Sequence, residues 1–126
     1  NVVYIMNDQK GKVGTGGTMR LGTYECIIKK ESLAESVFKK NKVEERHRHR
    51  FEVNRKFENE FNKGGVVVSG TSKDEKLVEL VEADKNLNHP FFLATQSHPE
   101  FLSRPWKAHP MFLGFISASS EQNLTM

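Results

Sequence analysis

The segment Gln96-Ser97-His98-Pro99-Glu100-Phe101 places an imidazole and a carboxylate two positions apart. In an extended backbone, positions i and i+2 point to the same side, and a proline between them stiffens the step. His98 and Glu100 then come within reach of one hydrogen bond. A carboxylate on one ring nitrogen fixes the tautomer and raises the basicity of the imidazole, which is what general acid–base chemistry requires. The same residues also read as a surface His-Pro turn with a solvated glutamate, and spacing alone leaves both readings open. A second run, Glu45-Arg46-His47-Arg48-His49-Arg50, alternates guanidiniums with imidazoles. On an extended strand its arginines share one face, where they repel unless carboxylates or anions answer them.

The elements that must position these groups are short. Val2 to Met6 reads as a buried strand, Asn7 to Gly17 as a Gly-rich loop, and Met19 to Ile28 as a second extended stretch. Ser32-Leu33-Ala34-Glu35 is a capping-box signature, so a helix follows through Val37 and Phe38, with Lys39 and Lys40 at its C-terminal end. Glu44 to Asn54 is extended. Phe57 and Phe61 share one side of a short helix that Gly64-Gly65 can stop. Val66–Ser69, Leu77–Glu82 and Phe91–Gln96 are strands of buried type, with turns at 69–74 and 86–90. The His-Pro-Glu segment therefore leaves the end of a strand, where open α/β sheets place ligands. Pro110 opens a last helix whose Phe112, Phe115 and Ile116 are expected in the core, and Glu121 to Met126 is a polar tail.

A length of 126 residues suits one domain, which at this size buries roughly two-thirds of its unfolded surface. Hydrophobic residues make up 37% and charged residues 28%, with a net charge of +3, which excludes an acidic disordered tail or a disulfide scaffold. The apolar runs are far shorter than the ~20 residues that span a bilayer. One cysteine, Cys26, together with the lack of a signal-peptide pattern at Asn1, fits a cytoplasmic setting. A first residue already inside a strand reads as a piece of a longer protein.

Taken together, Gly16-Gly17-Thr18-Met19-Arg20-Leu21-Gly22, Glu45-Arg46-His47-Arg48-His49-Arg50-Phe51-Glu52-Val53-Asn54, Ser69-Gly70-Thr71-Ser72 and His98-Pro99-Glu100-Phe101-Leu102-Ser103-Arg104-Pro105 carry a specific resemblance. In this order they resemble the C-terminal part of the class I glutamine amidotransferase domain of the CTP synthase family, from about Val2 to Ala118. The resemblance implies an α/β fold, the C-terminal half of a flavodoxin-like three-layer α/β/α domain over 1–120. It implies glutamine hydrolysis by a Cys-His-Glu triad. His98 would be the general acid/base, Glu100 its orienting carboxylate, and Arg50 a ligand of the substrate glutamine. Ammonia would then pass to an ATP-dependent synthetase domain that aminates UTP to CTP. The intact enzyme would need ATP and Mg2+, with GTP as activator bound near Arg46, Arg48 and the Met19–Leu21 loop, and would assemble as a homotetramer. The family's nucleophile lies on a Gly-x-Cys-x-Gly elbow upstream of these motifs. Cys26, flanked by Glu25 and Ile27, lacks that elbow and reads as a structural thiol. The piece alone is thus expected to be inactive, its partners being the first half of the domain and the synthetase domain. Ser97 stands where the family usually has an aromatic residue, which loosens packing beside His98.

Other readings compete. His47-x-His49 invites zinc, but no Cys or acidic residue at ligand spacing completes a site, so no metal or cofactor is expected in this segment. The basic run invites nucleic acid, yet Glu44, Glu45 and Glu52 and a charge of only +3 argue against it; neither nucleic acid nor membrane is expected. For Arg46 the plain alternative is a salt-bridged edge strand. Gly16-Gly17 lacks the rest of a phosphate loop. His89 and His109 precede prolines and suit turn or capping roles, and Asn123-Leu124-Thr125 is a sequon without a secretory context. The alternative for the whole chain is a non-catalytic interaction module that retains the amidotransferase fold.

Overall fold

The computed structural model of the chain describes residues 1–5 and 19–123. The Gly-rich segment 7–17 lies outside them, as does most of the sequon. Within the described residues seven strands and three α-helices follow in the order β1 (Val3–Ile5), β2 (Arg20–Ile28), α1 (Leu33–Phe38), β3 (Lys42–His49), β4 (Phe51–Val53), α2 (Glu58–Lys63), β5 (Val66–Ser72), β6 (Val78–Ala83), β7 (Leu93–Thr95) and α3 (Pro110–Asn123). Strands β3-β2-β5-β6-β7 form one sheet in that order, and β1 pairs with β4 as a separate ribbon. Every pairing among these strands is antiparallel.

The core gathers Cys26 and Ile28 of β2, Ala34 and Phe38 of α1, Leu80 of β6 and Met111 of α3. Register explains the set: Ile28 opposes Gly70 and Gly70 opposes Leu80, so these lie side by side across three strands. Gly70 belongs to β5 rather than to the turn the sequence suggested. A Cβ there would sit 2.8 Å from both Cys26 Sγ and Leu80 Cδ1, so only glycine lets these side chains meet over the strand.

On either side of Gly70 the β5–β6 ladder slips. Val68 opposes Val81, Gly70 opposes Leu80 and Thr71 opposes Val78. Ser69 is thus an extra residue on β5 and Glu79 an extra residue on β6, a pair of bulges. Strict alternation would send Glu79 away from the face of Leu80. The bulge instead turns its carboxylate toward Arg20 of β2 and His47 of β3, both of which it contacts.

Helix α1 starts as its capping box predicts, with Ser32 Oγ accepting from the Glu35 N–H (3.0 Å). The reciprocal arm reaches one residue further back, Glu35 Oε2 accepting from the Glu31 N–H (2.7 Å). The Leu33 and Ala34 N–H groups donate to Glu82 of β6 at 2.8 and 3.0 Å, which pins the helix to the sheet.

Three sequence expectations are corrected. The residues of β1 are exposed rather than buried: among the described residues this strand pairs only with β4, whose one buried side chain is Glu52. Phe112, Phe115 and Ile116 of α3 are exposed; the helix enters the core through Met111, and Gly114 approaches Phe91 and Val37. Finally, α3 runs on through Asn123, into the segment read as a tail.

Candidate active site

β7 ends at Thr95, and the chain turns directly into the His-Pro-Glu segment. His98 Nδ1–H donates to Glu100 Oε1 at 2.7 Å. The contact expected from an extended backbone therefore forms, but through a different geometry. Pro99–Phe101 is a turn of 3-10 helix, with Pro99 in its favoured first position, and the turn curls Glu100 back under the imidazole. The bond to His98 holds the Glu100 carboxyl below the usual carboxylate range, so Glu100 is the ionised partner and His98 the donor. With Nδ1 engaged, Nε2 is the nitrogen available for proton transfer. The His98 ring stacks on Phe101, centroids 4.9 Å apart and planes 12° apart. Phe101 thus supplies aromatic packing that Ser97 cannot; Ser97 instead bonds Thr95 through both its N–H and its hydroxyl.

Two backbone bonds suspend this loop. His98 N–H donates to Arg46 O of β3 (2.8 Å), and Gln96 N–H donates to Glu79 O of β6 (3.0 Å). The two sequence motifs, distant in the chain, are therefore neighbours in space.

The alternation predicted for the basic run is present. Arg46 and Arg48 point outward from β3 while Glu45 and His47 point inward, and Arg50 is exposed at the bend between β3 and β4. β3 is an edge strand, as the plain reading of Arg46 required. Arg46, however, donates to the Thr23 hydroxyl (3.4 Å) rather than to a carboxylate. Arg20 is not on a loop: it opens β2 and is buried.

What lies inward was not anticipated. The guanidinium of Arg20 donates to Glu79 Oε1 and lies 3.6 Å from Glu52 Oε1. His47 Nε2 lies 3.5 Å from Glu79 Oε2, and the His47 and His49 rings are hydrogen-bonded to each other at 2.8 Å. The two histidines thus serve one another instead of forming a zinc pair, and among the described residues no group of three or more His, Cys, Asp or Glu is placed to hold a metal ion. Burial pushes Glu52 up to about 7, pushes Glu79 up, and pushes His47 down to about 3. Deeper along β3, Glu45 Oε1 accepts from His109 Nε2–H at 2.9 Å, while His109 Nδ1 accepts from the Met111 N–H at the start of α3. His109 has the capping role its position before Pro110 suggested, with a buried carboxylate added. The signals for this cluster were present: an inward phase opposite the arginines, and carboxylates inside an otherwise apolar strand.

Cys26 is 2% exposed, and burial pushes its thiol up to about 12. A nucleophile must ionise. This cysteine packs the core.

The family Glutamine amidotransferase class-I matches residues 2–118. The chain belongs to the class I glutamine amidotransferase family. A CTP synthase of Prochlorococcus marinus (strain MIT 9312) is 48% identical over 124 residues, which is 98% of this chain and 22% of the relative. A CTP synthase of Synechocystis sp. (strain ATCC 27184 / PCC 6803 / Kazusa) is 52% identical over 117 residues, 93% of this chain and 21% of the relative. Among solved structures, the Trypanosoma brucei CTPS glutaminase domain with bound acivicin superposes with a TM-score of 0.81 at 37% identity, covering 95% of this chain and 46% of that one. This amidotransferase chain thus spans about a fifth of the curated relatives it matches. Its fold is that of a CTP synthase glutaminase domain over the matched part, a mixed α/β arrangement. Among the described residues of the amidotransferase, no helix is long and apolar enough to cross a membrane.

Proposed function

We propose that this chain supplies the acid–base half of a glutaminase site that feeds ammonia to CTP synthesis. The observation that carries the reading is the 2.7 Å bond from His98 Nδ1 to Glu100, with Nε2 left for chemistry. In this reading the nucleophile is a cysteine of the remaining part of the domain, and His98 Nε2 takes its proton. The thiolate attacks the carboxamide carbon of glutamine, the C–N bond breaks, and His98 returns the proton to the departing ammonia. His98 then deprotonates a water that hydrolyses the thioester to glutamate and regenerates the thiol. Glu100 keeps the ring oriented and stabilises its charged form. Arg50, exposed at its bend, offers a planar guanidinium to the α-carboxylate of glutamine.

The intact protein of this proposal is a ligase that converts UTP to CTP with ATP and Mg2+ in its synthetase domain, with GTP as activator, as a cytoplasmic homotetramer. The exposed apolar side chains of α3 (Phe112, Leu113, Phe115 and Ile116) and of β1 support a complementary half packed against this chain, without which the chain is inactive. The test is His98→Ala in the full-length enzyme, with CTP formation measured from glutamine and from ammonia separately. Loss of the glutamine-dependent rate with retention of the ammonia-dependent rate is expected. Equal loss of both overturns the assignment of His98.

A further inference from the structure

The buried cluster behind His98 is short of one proton. Phe51 O can only accept, so His49, 3.0 Å away, presents Nδ1–H to it. His49 Nε2 is then an acceptor, and the hydrogen across the 2.8 Å contact comes from His47 Nδ1. A neutral His47 consequently turns a bare Nε2 toward Glu79 Oε2, 3.5 Å away, with 0% and 2% of the two side chains exposed. Neither atom has another partner among the described residues. Two lone pairs facing each other out of reach of water are costly, and one proton between them removes the conflict. The charge count agrees: Arg20 is one cation for two buried carboxylates, Glu52 and Glu79. The geometry puts a proton on Glu79 Oε2, the oxygen that faces the bare His47 Nε2, while Oε1 still accepts from Arg20.

This contact is tied to the loop that carries His98. The carbonyl of Glu79 holds Gln96, and the carbonyl of Arg46, the residue before His47, holds His98. β3 and β6 are not neighbours in the sheet, so the Glu79–His47–Arg20 bridge joins the two supports from which the loop hangs.

We infer that Glu79 is a positioning residue for the glutaminase reaction: as the buried acid bonded to His47 and braced by Arg20, it sets where His98 stands. The inference rests on the reading of His98 as the acid–base group. The titratable and charged groups around Glu79 and His47 are Arg20, Tyr24 and Cys26 of β2, Glu45 and His49 of β3, Glu52 of β4, and His98 beyond β7; the Tyr24 ring stands edge-on to His47 at 5.5 Å. β7 itself, Leu93-Ala94-Thr95, brings no titratable side chain. Desolvation raises Glu79 and lowers His47, so both shifts favour the neutral pair that the geometry assigns.

The experiment compares Glu79→Gln and Glu79→Leu in the full-length enzyme, with glutamine-dependent and ammonia-dependent CTP formation followed separately. Glutamine at 79 donates to His47 and accepts from Arg20 at every pH. It is expected to keep the glutamine-dependent rate within about twofold, with KM unchanged to the same extent. Leucine at 79 is expected to lower kcat for glutamine by roughly tenfold or more, with KM within about twofold and the ammonia-dependent rate kept. A Leu variant with wild-type kcat, or a Gln variant whose glutamine-dependent rate falls by roughly tenfold or more, overturns the inference. If the Leu variant does not fold, the Gln variant decides alone. A His98→Ala enzyme that still uses glutamine would instead overturn the reading beneath it.

Discussion

Two histidine–carboxylate pairs of nearly equal length stand at opposite extremes of burial. His98–Glu100 spans 2.7 Å with the side chains 35% and 56% exposed; His109–Glu45 spans 2.9 Å with 4% and 6%. In the exposed pair only Nδ1 is engaged among the described residues, so the ring keeps a nitrogen for reaction and the carboxylate costs little to hold in water. In the buried pair both ring nitrogens are committed, one to Glu45 and one to the first turn of α3. The same two side-chain types thus serve chemistry in one place and architecture in the other. The difference lies in how many ring nitrogens the fold consumes.

Substitutions should separate the two pairs. Glu45→Ala strips a buried imidazole of its partner and should destabilise the intact domain by about 3 kcal/mol or more, read as a lower urea midpoint. Activity per folded molecule should survive. Glu100→Ala should do the reverse: stability changes by less than about 1 kcal/mol because the pair is exposed, while kcat with glutamine falls by roughly 10²-fold. A Glu100→Ala enzyme with full glutamine-dependent kcat would remove Glu100 from the mechanism. Gly70→Ala, at neither pair, drives a methyl into Cys26 and Leu80 and should cost about 1–3 kcal/mol in the same urea experiment.

The buried cluster adds a pH dependence of its own. Glu52 rises from an ordinary 4.5 to about 7, so its protonated form contributes stability below 4.5 that is lost as pH climbs through 7. His47 falls from 6.5 to about 3, so its neutral form contributes stability above 6.5 that is lost as pH drops toward 3. The Glu52→Gln variant should gain on the wild type in Tm as pH rises from about 5 to about 8. An unchanged gap would place the Glu52 proton elsewhere. The smallest expected effect is that of Cys26→Ser on glutaminase turnover, measured as ammonia released by the assembled enzyme: none beyond any loss of folded protein.

The strands, the capped helix and the His98–Glu100 contact were legible in the sequence because each rests on a local signal: alternation, a Ser-x-x-Glu box, a proline between two functional side chains. What was not legible depends on register. Glu79 stands between Val78 and Leu80, where strict alternation would turn it away from the face of Leu80, and only the slip at Gly70 turns it inward. Arg20 follows a Gly-rich stretch and suggests a loop, yet pairing with β3 makes it the first buried residue of β2. Helix α3 misled for another reason. Its aromatic and aliphatic residues share a face, but a face enters a core only where something covers it, and among the described residues of α3 only Met111 is buried.

The paired bulges carry a consequence for how the gene can change. Ser69 shifts the β5–β6 ladder by one residue and Glu79 shifts it back, so the strands are in the same phase on both sides of Gly70. Deleting Ser69 or Glu79 alone would leave one strand out of step and exchange its inward and outward side chains beyond that point. Deleting both would restore an unbroken ladder and remove the carboxylate. Single-codon deletions in either strand should therefore be far less tolerated than the double deletion, and the double deletion should fold while losing the brace behind His98.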